Sequence, residues 1–156
     1  MKEFLLFLHP TFGILGAFAA IWFLVEVINV SPTNLRRIRL ASLTTMLAMV
    51  ITWISSGYWY VTYYPADKAI ILKSSWAFAH KLIMESKEHV FFITLVLCLL
   101  LPIVAWRNNF LTNKSVRVLA CIIALLIFLS AFALEGAGGV ISTGVRIGLT
   151  ESAVSK

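Results

Sequence analysis

The sequence predicts an all-α fold: a bundle of four transmembrane helices, with an amphipathic interfacial segment between the second and third spans. Three observations carry that prediction. Of the 156 residues, 60% are hydrophobic and 13% charged, with a mean hydropathy of +0.93, whereas a soluble domain is nearer half apolar and a quarter charged. The apolar residues gather into four runs close to the roughly 20 residues that a helix needs to cross a bilayer. The basic residues fall between those runs or at their edges.

The first span is expected at about 10–30, with Pro10 in its first turn, where the missing N–H costs nothing. It stops at Ser31-Pro32-Thr33-Asn34. The second, about 40–60, ends in Gly57-Tyr58-Trp59-Tyr60 and then Tyr63-Tyr64-Pro65, an aromatic cluster of the kind that marks a membrane–water boundary. The third runs from His89 to Trp106, with Pro102 expected to bend its far end. The fourth, about 116–134, is expected to give way to a glycine-rich tail. Between spans two and three, Ala66 to Glu88 mixes Ile70, Ile71, Trp76, Phe78, Leu82 and Ile83 with Lys73, Lys81, Glu85 and Lys87, the pattern of an interfacial helix. No internal repeat or second domain divides residues 1–156. Ala17-Phe18-Ala19 resembles a signal-peptide cleavage site, but the apolar run continues to Val25, so the N-terminal residues are expected to stay as part of a spanning helix.

An even number of spans puts both termini on one side. The short loops carry Arg36, Arg37 and Arg39, then Arg107, Lys114 and Arg117, with no acidic residue among them. The other face carries Lys2, Lys68, Lys73, Lys81, Lys87, Arg146 and Lys156, so raw counts of cations nearly tie. Short loops next to the spans weigh most in setting orientation. The arginine loops are therefore expected in the cytoplasm of a bacterial inner membrane, with both termini outside. The formal charge of +6 does not point to nucleic acid, because the basic residues form neither one tract nor one helical face. Cys98 and Cys121 lie inside apolar runs as small hydrophobes, and no CxxC or CxxCH motif occurs.

The chemistry-bearing residues collect on the outer side. His9 opens the first expected span and His89 the third, at matched depth on spans that run the same way, while His80 lies in the segment before the third. Imidazoles from two helices facing each other across a bundle are what a bis-histidine haem requires. With His80 added, three imidazoles suit copper or zinc. At about 100° per residue, His9, Gly13, Gly16 and Ala20 share one stripe, which leaves a trough for a flat cofactor or for a close helix crossing. Glu135 closes the fourth span on the same side and can orient an imidazole or pass a proton to a quinol. Glu85, four residues before His89, can orient that ring. Arg146, in a tail that holds five of the eight glycines, can pair with a haem propionate or anchor the interface. Glu26, about 25 Å from His9 by helical rise, sits among the arginines and reads as structural.

The opening His9-Pro10, the third span from His89 to Ala105-Trp106-Arg107, and the tail Gly138-Gly139…Gly144-Val145 resemble a family of small bacterial four-span membrane proteins of unknown function, often compared with b-type cytochromes. The segment from Gly57 to Pro65, followed by Glu88-His89, is similar to a subgroup signature within it. The resemblance spans most of the chain and implies a four-helix bundle, with haem b on His9 and His89. The family opening carries a second histidine shortly after His-Pro; here Thr11-Phe12-Gly13 follows instead, which leaves a single haem as the expectation.

The expected function is thus a cytochrome b-like subunit holding one haem near the outer face and passing electrons between the quinone pool and a periplasmic or membrane redox partner. The rival readings are a copper or zinc protein using His9, His80 and His89, and a cofactor-free accessory subunit of a membrane complex or oligomer. No span is broken mid-membrane by paired glycine and proline, which disfavours a transporter. No nucleophile–base pair, phosphate loop or catalytic carboxylate pair stands out.

Overall fold

A chain in lipid has no water to satisfy its backbone, so each apolar run must close its own hydrogen bonds as a helix. The computed structural model, which describes residues 1–154, has α1 (Lys2–Ile28), α2 (Leu35–Thr62), α3 (Tyr64–Leu72), a π-helical turn (Ala79–Met84), α4 (Glu85–Arg107) and α5 (Lys114–Val154), and no strand among those residues. Four helices are long and apolar enough to cross a membrane: α1, α2, α5 and the continuous stretch Ala79–Arg107. Each packs on two neighbours in the cyclic order α1, α2, α4, α5, so α1 and α4 stand on one diagonal, without close backbone approach among the described residues. Large apolar side chains such as Ile14, Phe18, Leu47, Ile54, Val96 and Leu129 point outward, as lipid contact requires.

Three expectations are corrected. α1 begins at Lys2, so Pro10 lies inside the helix rather than in its first turn, and His9 sits two turns in. A proline is tolerated there because bundle neighbours and side chains re-satisfy the freed carbonyl. The segment before the third span is not one amphipathic helix. It is a short α3, a reversal through Lys73–Phe78 and a π-turn that runs directly into α4. Pro102 lies buried in the last third of α4. The glycine-rich tail is helix: α5 continues to Val154, about 60 Å at 1.5 Å per residue, roughly twice the hydrocarbon thickness. No glycine has a positive φ. The tail glycines serve close approach instead: Gly144 faces Ala79 and Ile71, and Gly148 faces Ile70 and Ser74.

The connections are closed by asparagines. Buried Asn34 accepts from the Ser31 N–H at 2.8 Å and donates to the Glu26 carbonyl at 2.9 Å and carboxylate at 2.8 Å, locking the α1–α2 turn. Asn113 accepts from the Val116 N–H at 3.1 Å, a side-chain cap for the start of α5. Phe110, in the α4–α5 loop, is buried edge-on against Phe23 at 6.5 Å.

The interior holds two apolar clusters. The larger joins α1, α2, α4 and α5 around Ala20, Phe23, Ile38, Ala41, Cys98, Leu101, Ala124 and Ile127 and reaches Met49 and Ala131. The smaller ties α3 and the π-turn to α5 through Tyr64, Ile71, Ala79, Met84 and Ile141. Charge is divided unequally between the bundle's ends. At the α1–α2 and α4–α5 loops, Arg36, Arg37, Arg39, Arg107, Lys114 and Arg117 meet one carboxylate, Glu26. At the opposite end, Lys2, Lys68, Lys73, Lys81, Lys87 and Arg146 are matched by Glu3, Asp67, Glu85, Glu88, Glu135 and Glu151. Lys156 lies outside the described residues.

Candidate functional site: a cavity between the two apolar clusters

Between the two clusters lies a cavity of about 500 Å³, within the range of ligand pockets. Met49 and Ala131 of the larger cluster wall one side, Met84 and Ile141 of the smaller the other. Trp53, Trp59, Tyr60, Phe91 and Phe92 add aromatic surface. Into this apolar enclosure project His9 from α1, Lys87 and Glu88 from α4, and Glu135 from α5, with Lys2 and Asp67 also on its wall. Lys2 and Asp67 approach each other at 3.9 Å.

Two glycines make the polar group possible. A Cβ on Gly13 would stand 2.9 Å from Glu135 Oε1, and one on Gly138 would stand 3.1 Å from Lys87 Nζ. Lys87 and Glu135 are both half-buried, yet no ion pair joins them among the described residues, where the pairs within 4.0 Å are Lys2–Asp67 and Arg37–Glu26. Buried Thr52, which donates to the Ala48 carbonyl at 3.0 Å and approaches the His9 carbonyl at 3.4 Å, joins α2 to α1 beside Gly13. His9 is oriented by its own helix: its Nδ1–H donates to the Leu5 carbonyl at 3.0 Å. That bond selects the tautomer with Nε2 free to accept a proton, donate a lone pair to a metal, or receive a hydrogen bond.

The sequence-derived residues divide accordingly. His9, Gly13 and Glu135 come together at the cavity. Gly16 does not reach it; its missing side chain admits Met49 (Cγ 3.1 Å from an added Cβ) and Ala48, a close α1–α2 crossing. His89 is exposed and outside the cavity wall, with its Nδ1 on the Glu85 carbonyl at 2.7 Å. Glu85 thus orients that ring through its backbone rather than its carboxylate. His80 is buried against α3, its Nδ1 3.0 Å from the Tyr64 hydroxyl. Tyr64 in turn stacks on Tyr60 at 5.2 Å, and burial pushes its phenol above the ordinary tyrosine range. Arg146 is exposed beside Thr143, away from the cavity. The three imidazoles occupy three different surroundings, and no cluster of three or more His, Cys, Asp or Glu able to hold a metal ion occurs among the described residues.

Lys87 takes the place that sequence reasoning gave to His89, and helix geometry says why. Two residues along a helix turn by about 200°, so Lys87 and His89 point to opposite sides of α4. An ionisable residue at the start of a long apolar run was the available signal. Glu88, Asp67 and Thr52 were also missed; nothing local in the sequence separates them from solvated boundary residues. The chain matches no protein-family model, no curated protein and no solved structure. The short motifs at 9–10, 105–107 and 138–145 therefore assign it to no family.

Proposed function

We propose that this chain is a membrane-embedded binding subunit that takes a ring-bearing amphipathic redox carrier of the quinone class into the cavity. The observation that carries the reading is the convergence of His9, Lys87 and Glu135 on a largely apolar, aromatic-lined cavity of about 500 Å³. Ionisable groups are costly in a bilayer and collect where ligands or protons pass. A quinone oxygen is an acceptor that the Lys87 ammonium can serve. A quinol hydroxyl is a donor that His9 Nε2 or the Glu135 carboxylate can receive. Aromatic walls stack on the ring, and an isoprenoid tail suits the lipid-facing flank.

The rest of the reading follows the charge pattern. The arginine loops lie in the cytoplasm of a bacterial inner membrane and both termini outside, so the cavity serves the outer leaflet. Residues 64–84 lie at that membrane surface, beside an electron-accepting partner in the membrane or periplasm.

One observation favours a second reading, a b-type haem in the same cavity. The His9 Nδ1–H bond leaves Nε2 as the atom that would hold the haem iron. His89 lies outside the cavity, so this haem has one histidine from the chain rather than the expected pair.

Decylubiquinone titrated into detergent-purified protein should quench tryptophan fluorescence saturably, because Trp53 and Trp59 line the cavity. Glu135→Gln and His9→Ala should weaken binding about 10- to 150-fold, the cost of losing one buried hydrogen bond to a charged group. Non-saturable quenching, or equal affinity in both variants, would sink the quinone reading. An absorption spectrum of protein expressed with ample haem decides the second. A Soret band lost in His9→Ala but kept in His80→Ala and His89→Ala supports it, and no band removes it.

A further inference from the structure

We propose that Arg39, Trp106 and Arg107 form a site for the phosphate of an anionic phospholipid, at the end of the bundle away from the cavity. This inference does not depend on the quinone reading.

Charge favours an anionic headgroup at this end. At the loop end six cations meet one carboxylate, so five positive charges stay uncompensated, while the described cations and carboxylates of the other end balance. The one carboxylate, Glu26, is already engaged by Arg37 at 3.2 Å and by Asn34 at 2.8 Å. Nearly all of the chain's formal charge of +6 is therefore concentrated at one membrane boundary. A single anionic headgroup fits such a surface. A zwitterionic phosphocholine brings its own cation into an already positive field, and gains less.

Arg39, near the start of α2, lies over the Trp106 ring at the end of α4, with its guanidinium carbon 5.2 Å from the ring centroid. That cation–π contact uses none of the guanidinium N–H groups, which stay available as the fork that grips phosphate with two parallel bonds. Arg39 and Arg107 are exposed, and neither joins an ion pair or side-chain hydrogen bond among the described residues. Trp106, 52% exposed, is the residue type that seats at the headgroup level. Below it on the same face of α4, at three and seven residues' distance, Ile103 and Leu99 are exposed and apolar. They offer a bed for the acyl chain of the lipid whose phosphate meets the arginines.

The test is lipid retention, measured by native mass spectrometry on protein carried in dioleoylphosphatidylcholine and titrated with dioleoylphosphatidylglycerol. Wild type should retain phosphatidylglycerol in preference to phosphatidylcholine. Each cation at an anionic surface contributes about fivefold, so Arg39→Gln with Arg107→Gln should lower that preference by about 25-fold. Arg39→Lys with Arg107→Lys keeps the charge but loses the planar fork, so its preference should fall between those of wild type and the Gln pair, while an unchanged melting temperature of the Gln pair guards against a folding defect. Lys68→Gln with Lys73→Gln, at the balanced end, should change nothing. Equal retention of the two lipids by wild type, or the same loss from the Lys68/Lys73 pair, would overturn the proposal.

Discussion

Two glycine-to-alanine substitutions on α5 bear on whether its C-terminal half docks as a helix. A Cβ at Gly148 would stand 2.7 Å from Ile70 Cγ2, 3.0 Å from the Ile70 carbonyl oxygen and 3.2 Å from Ser74 Cβ. The methyl can turn aside, but the carbonyl belongs to the α3 backbone, so α3 itself must shift. At Gly139 nothing lies within 4 Å. Both positions are helical, so alanine gains the same helix propensity at each, about 0.5–1 kcal/mol. At Gly139 that gain is the whole effect. At Gly148 overpacking of about 1–3 kcal/mol opposes it. With about 2–4 °C per kcal/mol for a chain of this size, Gly139→Ala should raise Tm by about 1–4 °C. Gly148→Ala should melt about 2–12 °C below Gly139→Ala. Thermal unfolding of the three proteins in one detergent measures this, with limited proteolysis to report release of α3. If Gly148→Ala stabilises as much as Gly139→Ala does, α3 does not dock on this face and the reasoning fails.

Three further predictions follow from neighbouring contacts. Tyr64→Phe strands the buried His80 Nδ1 without its 3.0 Å partner; it should cost about 1–3 kcal/mol, and a melting temperature equal to wild type would show the bond to be dispensable. Gly16→Leu forces side-chain volume where even a Cβ meets Met49 at 3.1 Å. It should destabilise by about 1–3 kcal/mol, and an unchanged melting curve would mean that α1 and α2 do not cross closely there. Cysteines placed at Arg37 and Asn109 should label from the cytoplasm, and one at Asp67 from outside; the reverse pattern would turn the cavity toward the cytoplasmic leaflet.

The sequence alone determined the helices, because a run of about 20 apolar residues has one stable form in lipid. It also determined which end bears the arginines, and it singled out His9, Gly13 and Glu135. The first two share a helical stripe, and the third is the carboxylate at the close of an apolar run. Facing across the bundle was a different matter. Matched depth put His9 and His89 at one level, but depth does not give rotation about the helix axis. The neighbours of α4 turn Lys87 inward and so turn His89 outward. The glycine tail was misread for a related reason. Local propensity disfavours helix at glycine by about 1 kcal/mol per residue, yet Gly144 and Gly148 let α3 and the π-turn approach α5. That packing outweighs the propensity, and packing is decided only when all the helices are in place.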